Sequence, residues 1–575
     1  MKILMRKIGL SDPGVILGGI IVFSPLVGNC FRGLDGTIPI FLATILCCGL
    51  LINDTIKRKD IHVSNMDLCF ALYIGYVFFR QWLVKEQLFD PVTLCEWICI
   101  VSVYMLTRNL NEKSIRNLPY FVLISGVIQA CIGIGQYGNI LPSGHPAFKI
   151  TGSFFNPGPY GGYVAISMIT GMEIWKRNRF RLKDKGSIFL FLLLLLSGVL
   201  ILSDSRAAWT AVIVAACVMY IERPFRHSCR KKHYKVITII FIILFIGLSY
   251  LYKRDSADAR LLTWSASLSM FFDSPLIGHG IGSFPAKFML YQANFLDARP
   301  NSDYSLMADN NLLAFNEYIR LACEQGITGL LLFLIVTGKA LLHSGRKAIP
   351  FRHGLIGLAV FAFFSYPASI FPLKLYFPLF VGLSAKYAPC SFRFSFRPVF
   401  KCLCLLLLIL CCLFDLRTHS VYRKAFGALG KGTYLKVPFD DKEWLYLYMR
   451  HNRCFLYLLS EQFLKNDCPE KTLIVKKHLL RIAPTSSLLC DIGMLHLQKH
   501  DVDSAKRNFQ FALRMTPNHI TPAYGLFLAA KESGEKEQRL LWAQRIMNMP
   551  VRIVNSMVLK AKNEARACLK ESGQE

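Results

Sequence analysis

One alternation constrains this chain more than anything else in it. Apolar runs of membrane length are separated by short links crowded with lysine and arginine. The run "SIFLFLLLLLSGVLIL" at 187–202 is followed, across "SDSRA", by "VIVAACVMYI". A helix needs about 20 predominantly apolar residues to cross the hydrocarbon of a bilayer. Segments of roughly that kind occur near 12–31, 37–53, 66–84, 92–107, 118–137, 160–175, 187–202, 206–221, 235–252, 325–342, 354–370, 371–388 and 399–416. With 53% of its 575 residues hydrophobic, the chain holds more apolar material than a soluble core of this size buries. The pattern predicts an all-α, polytopic transmembrane helix bundle of about thirteen spans.

The formal net charge of +30 does not point to nucleic acid, because the basic residues lie in links between spans and not on one amphipathic domain. "IKRKD", "RNLNEKSIR", "KRNRFRLKDK", "ERPFRHSCRKKHYK", "HSGRKAIPFRH" and "SFRFSFRPVFK" alternate with less basic links such as "KEQLFDP". The positive-inside rule assigns the N-terminus and those six links to the cytoplasm. An odd number of spans then puts the segment 138–159, the "SDSRA" turn, the long loop 253–312 and everything after 416 on the other side. The pair 354–388 is the weak point: a single re-entrant segment there would reverse the side of the C-terminal part. The first residues resemble a signal peptide without a clear cleavage site, which reads as a retained first span.

Cysteine adds little. Most of the 19 cysteines sit inside apolar runs, where the thiol acts as a small hydrophobe. No Cys/His set has zinc-ligand spacing, so no metal and no cofactor is expected. Cys454, Cys468, Cys490 and Cys568 lie in the polar C-terminal part, where the spacing leaves disulfide pairing open.

Past residue 418 the chain becomes polar and helix-periodic. The expected division is a membrane domain over 1–418, a helical connector over 419–470 and helical repeats over 471–575. Gly493, Ala505, Phe509, Ala512 and Pro517 match the small, small, aromatic, small and proline positions of a tetratricopeptide repeat. Pro484, Pro517 and Pro550 punctuate that region at about the 34-residue period of the repeat. Asp501 and Asp503 form a D-x-D between two of these helices and read as a solvated turn.

Four stretches carry polar groups where membrane helices meet the opposite face. Arg206, in "SDSRAAWTA", reads either as a snorkelling anchor or as a fixed guanidinium for phosphate, with Ser203, Asp204 and Ser205 beside it to hold it. Arg260 opens "RLLTWSASLSMFFDSPLIGHGIGSF", an amphipathic segment at the interface that could equally bind lipid headgroups. The glycines around His279 are not a dinucleotide fingerprint, since no strand precedes them. In "ADNNLLAFNEYIRLACEQGITGLLLFL", Asp309, Asn310, Asn316, Glu317, Arg320 and Glu324 fall at spacings of three and four, which predicts a polar helix face turned to a wet cavity. In "TGSFFNPGPYGGYVA", Asn156 is placed to cap a helix and Gly161 and Gly162 to admit a close backbone.

Taken in order, these four motifs resemble the O-antigen ligase and polymerase superfamily over roughly 120–390, a family of bacterial lipid-linked glycan transferases. The resemblance implies a GT-C-like bundle in the bacterial inner membrane. It also implies a donor glycan on undecaprenyl pyrophosphate, transfer on the periplasmic face without a metal ion, and Arg206 and Arg260 as the pyrophosphate-binding pair. Asn156, Ser205, Asn316 and Arg320 would support them. Many members carry a functional His before the Asn of the fourth motif, and here that position is Phe315. A base must then come from elsewhere: Glu317 is the first candidate, with Asp309, Glu324 and His279 behind it. Lipid A core, a growing glycan and a protein hydroxyl are all open as acceptors, and the C-terminal repeats could hold an acceptor or a protein partner. Outside the family, a lipid-linked sugar flippase and a receptor-like scaffold are the rival readings. The partners expected are glycan donor, acceptor and membrane lipid, with no nucleic acid.

Overall fold

In the computed structural model, which describes residues 12–30, 37–58, 60–84, 89–178, 186–222, 228–300, 302–342, 349–395, 397–436, 443–551 and 554–572, the apolar runs are helices. In chain order the membrane part comprises α1 (Pro13–Cys30), α2 (Ile38–Lys57), strand β1 (Asp60–Ser64), α3 (Asn65–Trp82), α4 (Val92–Asn109), α5 (Glu112–Tyr137), α6 (Pro157–Asn178), α7 (Gly186–Leu202), α8 (Arg206–Ile221) and α9 (Ser228–Tyr252). Two helices outside the bundle follow, α10 (Arg254–Asp273) and α11 (Ser283–Asp297), then α12 (Glu317–Leu342), α13 (Ile349–Phe364), α14 (Phe371–Lys374), α15 (Tyr376–Lys386), strand β2 (Cys390–Ser395) and α16 (Pro398–Gly430). Helices α2, α5, α9, α12 and α16 are long and apolar enough to cross a membrane, and α1, α7, α8 and α13 are shorter apolar helices. The protein is an all-α helical membrane protein.

The bundle is built around α6, whose Tyr160, Tyr163, Val164 and Ile166 are buried against Phe361, Tyr376 and Phe380. By contrast α9 and α16 are almost wholly exposed along their apolar lengths, as lipid-facing helices must be. Successive connections alternate between two ends. At one end β1 pairs antiparallel with β2, a short ribbon made possible by the alternating "DIHVS" and "SFRFS". At the other end the last turn of α3 meets the long loop, where Arg80 donates to the carbonyls of Ile277 and Gly278 at 2.7 and 2.5 Å.

The segment 354–388 differs from two full spans. Pro367, Pro372 and Pro378 remove backbone donors, and the chain turns through a 3-10 segment at Pro367–Ser369 before the four-residue α14 and the 11-residue α15. It still runs up and back: the 365–370 turn lies at the loop end, where Arg260 meets Phe364, while β2 lies at the ribbon end.

Helix α12 is broken. Gly326 has φ 67° and ψ −175°, a conformation open to glycine alone. The glycine loop 275–282 docks into the break: His279 and Gly280 donate to the carbonyls of Cys323 and Glu324, and Ile327 donates to Pro275 at 2.8 Å. A Cβ on Gly326 would lie 2.3 Å from the Leu276 backbone.

Helix α16 continues unbroken to Gly430, through the expected boundary at 418. It delivers α17 (Thr433–Lys436), α18 (Trp444–Met449), α19 (Arg453–Lys465), α20 (Pro469–Ile482), α21 (Ser486–Gln498), α22 (Val502–Met515), α23 (Ile520–Glu532), α24 (Lys536–Asn548) and α25 (Ser556–Glu571). From α19 onward these form helical hairpins. The Phe509 ring lies where a Cβ on Gly493 or Gly525 would be, within 2.6 and 2.3 Å, so two neighbouring helices close onto it. Asp501 caps α22, accepting from the Ser504 amide at 3.1 Å. Cys454, Cys468, Cys490 and Cys568 are free thiols.

These hairpins pack on the long loop. Leu489, Phe509 and Leu526 share one buried cluster with Phe284 and Phe288 of α11. Around it, Arg514 pairs with Asp297 at 2.5 Å, Asn310 joins Ser486 and Ser487, and Gln292 donates to the Met515 carbonyl at 2.9 Å.

Candidate functional site

Arg206 is the first residue of α8, directly after a tight turn in which Asp204 takes a left-handed φ of 52°. The turn nests against α6, where a Cβ on Gly161 would fall 2.6 Å from Ser205 Cβ. The small polar neighbours do not hold the guanidinium as expected. Ser203 Oγ donates to the Leu200 carbonyl at 2.7 Å, Asp204 pairs with Lys253, and Ser205 precedes the helix without a capping bond. A Ser or Asp so near in sequence points away once the backbone turns sharply. Arg206 is held instead by two main-chain acceptors, its Nη1 donating to the carbonyls of Ser249 and Lys253 at 2.6 and 3.1 Å.

Arg260 repeats the device. Its Nη1 donates to the Phe364 carbonyl at 2.9 Å, at the end of α13, and its guanidinium lies 5.5 Å from the Phe315 ring centroid. Burial and the nearby Arg206 charge push its pKa down to about 10, so it is still charged at neutral pH. Cations at helix C-termini are favoured by the carbonyl ends. Among the described residues, neither guanidinium is ion-paired.

The two arginines line one narrow groove of about 140 Å³, with Thr210, Ile246, Tyr250 and Trp264 as walls. One side of the groove is the lipid-exposed helix α9. Arg260 also lines a second, larger cavity of about 660 Å³, bounded by α10, the segment 306–315 and the C-terminal hairpins. It therefore stands at the junction of an apolar groove and a polar chamber.

The fourth motif folds differently from the expected helical face. Residues 308–316 are not helical, and α12 begins only at Glu317. Phe315 has φ 51°, rare for a bulky residue, and this breaks the periodicity. Asn316 caps the helix, accepting from the amides of Tyr318 and Ile319 at 2.9 and 3.1 Å. Asp309 and Asn310 do not cap it; Asn310 binds the hairpins and Asp309 faces the large cavity. Asn156 caps α6 through the Gly158 amide at 2.9 Å.

Among the base candidates, Glu317 and Glu324 are buried and committed. Arg320 donates to both, at 2.6 and 2.8 Å. Glu317 also accepts from the Ala368 amide at 2.8 Å, and Glu324 from that of Gly282 at 3.1 Å. This network ties α12 to the 365–370 turn, and hence to the carbonyl that holds Arg260. It lines a separate cavity with Tyr73 and Lys374. His279 faces the Met270 carbonyl at 2.9 Å and Lys287 at 3.2 Å, and burial lowers its pKa. Asp309 alone of the four shares a cavity with Arg260. Lys253, the Phe364 carbonyl and His519, which also lines that cavity, carry no signal in the local sequence.

Residues 191–334 match the O-antigen ligase family model. The chain carries an O-antigen ligase domain. The match runs from α7 into α12 and contains Arg206, Arg260, Asp309 and the Glu317–Arg320–Glu324 network. The match supports a glycan transferase of the O-antigen ligase or polymerase type. No curated protein matches the chain.

Proposed function

We propose that the protein moves a saccharide from undecaprenyl pyrophosphate to an acceptor hydroxyl at the periplasmic face of the bacterial inner membrane, as an O-antigen ligase does. The observation that carries this reading is the groove shared by Arg206 and Arg260. Two unneutralised guanidiniums at the mouth of an apolar, lipid-facing groove suit a diphosphate on a polyprenyl chain. Each commits one nitrogen to main-chain carbonyls, two for Arg206 and one for Arg260, and keeps other N–H groups for phosphate oxygens. The N-terminus of α8 adds the positive end of a helix dipole.

With the diphosphate there, the isoprenoid lies along α9 and the sugar points into the large cavity. The acceptor oxygen forms a bond to the anomeric carbon as the carbon–oxygen bond to the diphosphate breaks. The electron pair goes to the diphosphate, whose charge the arginines stabilise. The basic links support a cytoplasmic ribbon end, with the arginines and the hairpins on the outer side. The hairpins, tetratricopeptide-like in their packing, form the far wall of the cavity and so stand where an acceptor would enter.

Purified protein with the lipid-linked donor and lipid A core tests this. Arg206→Glu should remove transfer while membrane insertion and thermal stability persist. Transfer at the wild-type rate by that variant would refute the reading.

A further inference from the structure

The large cavity has one wall that the ligase domain does not supply. The residues 518–521, at the start of α23, line it together with Arg260. They are held there by Asn518, which donates to the Leu306 carbonyl at 3.0 Å, and by Gln292, which donates to the Met515 carbonyl. In that wall His519 Nε2 faces Asp309 Oδ1 at 3.7 Å. This is ion-pair range, longer than a hydrogen bond. His519 precedes α23 without making a side-chain cap, so the helix gives its imidazole no structural task.

We propose that His519, carried by the C-terminal hairpins and oriented by Asp309, is the general base that takes the proton from the acceptor hydroxyl. This rests on the transfer reading above. With Nε2 turned to the carboxylate, Nδ1 is the nitrogen that accepts. The hydroxyl proton passes to Nδ1 as the oxygen attacks the anomeric carbon, and the imidazolium, steadied by Asp309, then returns the proton to solvent. The leaving diphosphate departs with its electron pair toward Arg260 and Arg206. Geometry favours this pair over the other candidates, because Glu317, Glu324 and His279 are all bonded elsewhere. Burial lowers the His519 pKa, with Asp309 opposing, which keeps the imidazole neutral at pH 7 and able to accept.

The experiment uses the full chain in lipid nanodiscs with a polyprenyl diphosphate-linked oligosaccharide. Lipid A core, repeat-unit glycan and a Ser/Thr peptide serve as separate acceptors, and product formation and donor binding are read independently. His519→Gln should lower turnover about 100-fold or more with donor Kd unchanged, and added imidazole should restore a large part of the His519→Ala loss. Wild-type turnover by His519→Gln, weakened donor binding in that variant, or no imidazole rescue would each overturn the base. Wild-type protein inactive on all three acceptors would overturn the transfer reading and the base with it. Transfer lost in Arg206→Ala but kept in His519→Gln would overturn the base alone.

Discussion

At the scale of single residues, the site depends on charges held by backbone. Arg260 uses a carbonyl and an aromatic face, and an ammonium in its place would keep the charge but lose the planar fork. Losing one charge-assisted hydrogen bond costs about 1.5–3 kcal/mol, so Arg260→Lys should lower turnover by about 10- to 100-fold, read as product formed per minute at saturating acceptor. A second expectation concerns pH. His519 shares its cavity with Asp309, Asp255 and Arg260, and its pKa lies below the usual histidine value. A base must be neutral to accept a proton, so turnover should hold at neutral pH and fall as pH drops through that depressed pKa, below about 6.5. The limb should be missing from His519→Gln; an unchanged limb there would assign the titration to another group.

At the scale of elements, the broken helix α12 is the piece most exposed to substitution. Gly326→Ala would force a Cβ into a backbone region that glycine alone populates, costing about 1–3 kcal/mol, and into the Leu276 backbone. It should lower Tm clearly and loosen the glycine loop. Gly338 in the same helix has nothing within 4 Å of a built Cβ, and Gly338→Ala should be neutral or raise stability by about 0.5–1 kcal/mol. Equal Tm losses in the two variants would show that the break does not depend on its glycine. The contrast also marks what the sequence could and could not say. Apolar runs announced the helices because burial in lipid leaves the backbone no other way to satisfy its hydrogen bonds. Asp309 to Glu324 looked like one helical face because spacing carries no information about a left-handed residue such as Phe315. The Ser203–Ser205 cluster beside Arg206 was visible, yet its holders, Ser249 and Lys253, act through carbonyls that any residue possesses.

At the scale of the molecule, the hairpins and the ligase domain make one chamber. The ion pair Arg514–Asp297 is partly exposed, and such pairs contribute at most about 1 kcal/mol; the shared cluster of Phe284, Phe288 and Phe509 holds the two together. Phe509→Ala should cost about 3–5 kcal/mol locally. Limited proteolysis should then cut within 485–530 while the membrane helices stay protected, and transfer should fall with the lost wall. Protection equal to wild type would show that the hairpins dock through other contacts. His519 was legible only as one histidine in a repeat, since its partners Asp309 and Arg260 lie far away in the chain and only docking brings them together.

Helix α9 is nearly bare over Lys235–Tyr252, yet the Ser249 carbonyl in its last turn and the Lys253 carbonyl just beyond it hold Arg206. A helix that must match its hydrophobic length to the surrounding bilayer tilts or shifts when the thickness changes, at a modest cost per ångström of mismatch. Any such shift is passed to the guanidinium at its end. Acyl-chain length should therefore tune the reaction: bilayers a few carbons thinner or thicker than the optimum should raise the donor Kd, with no change in any residue of the protein.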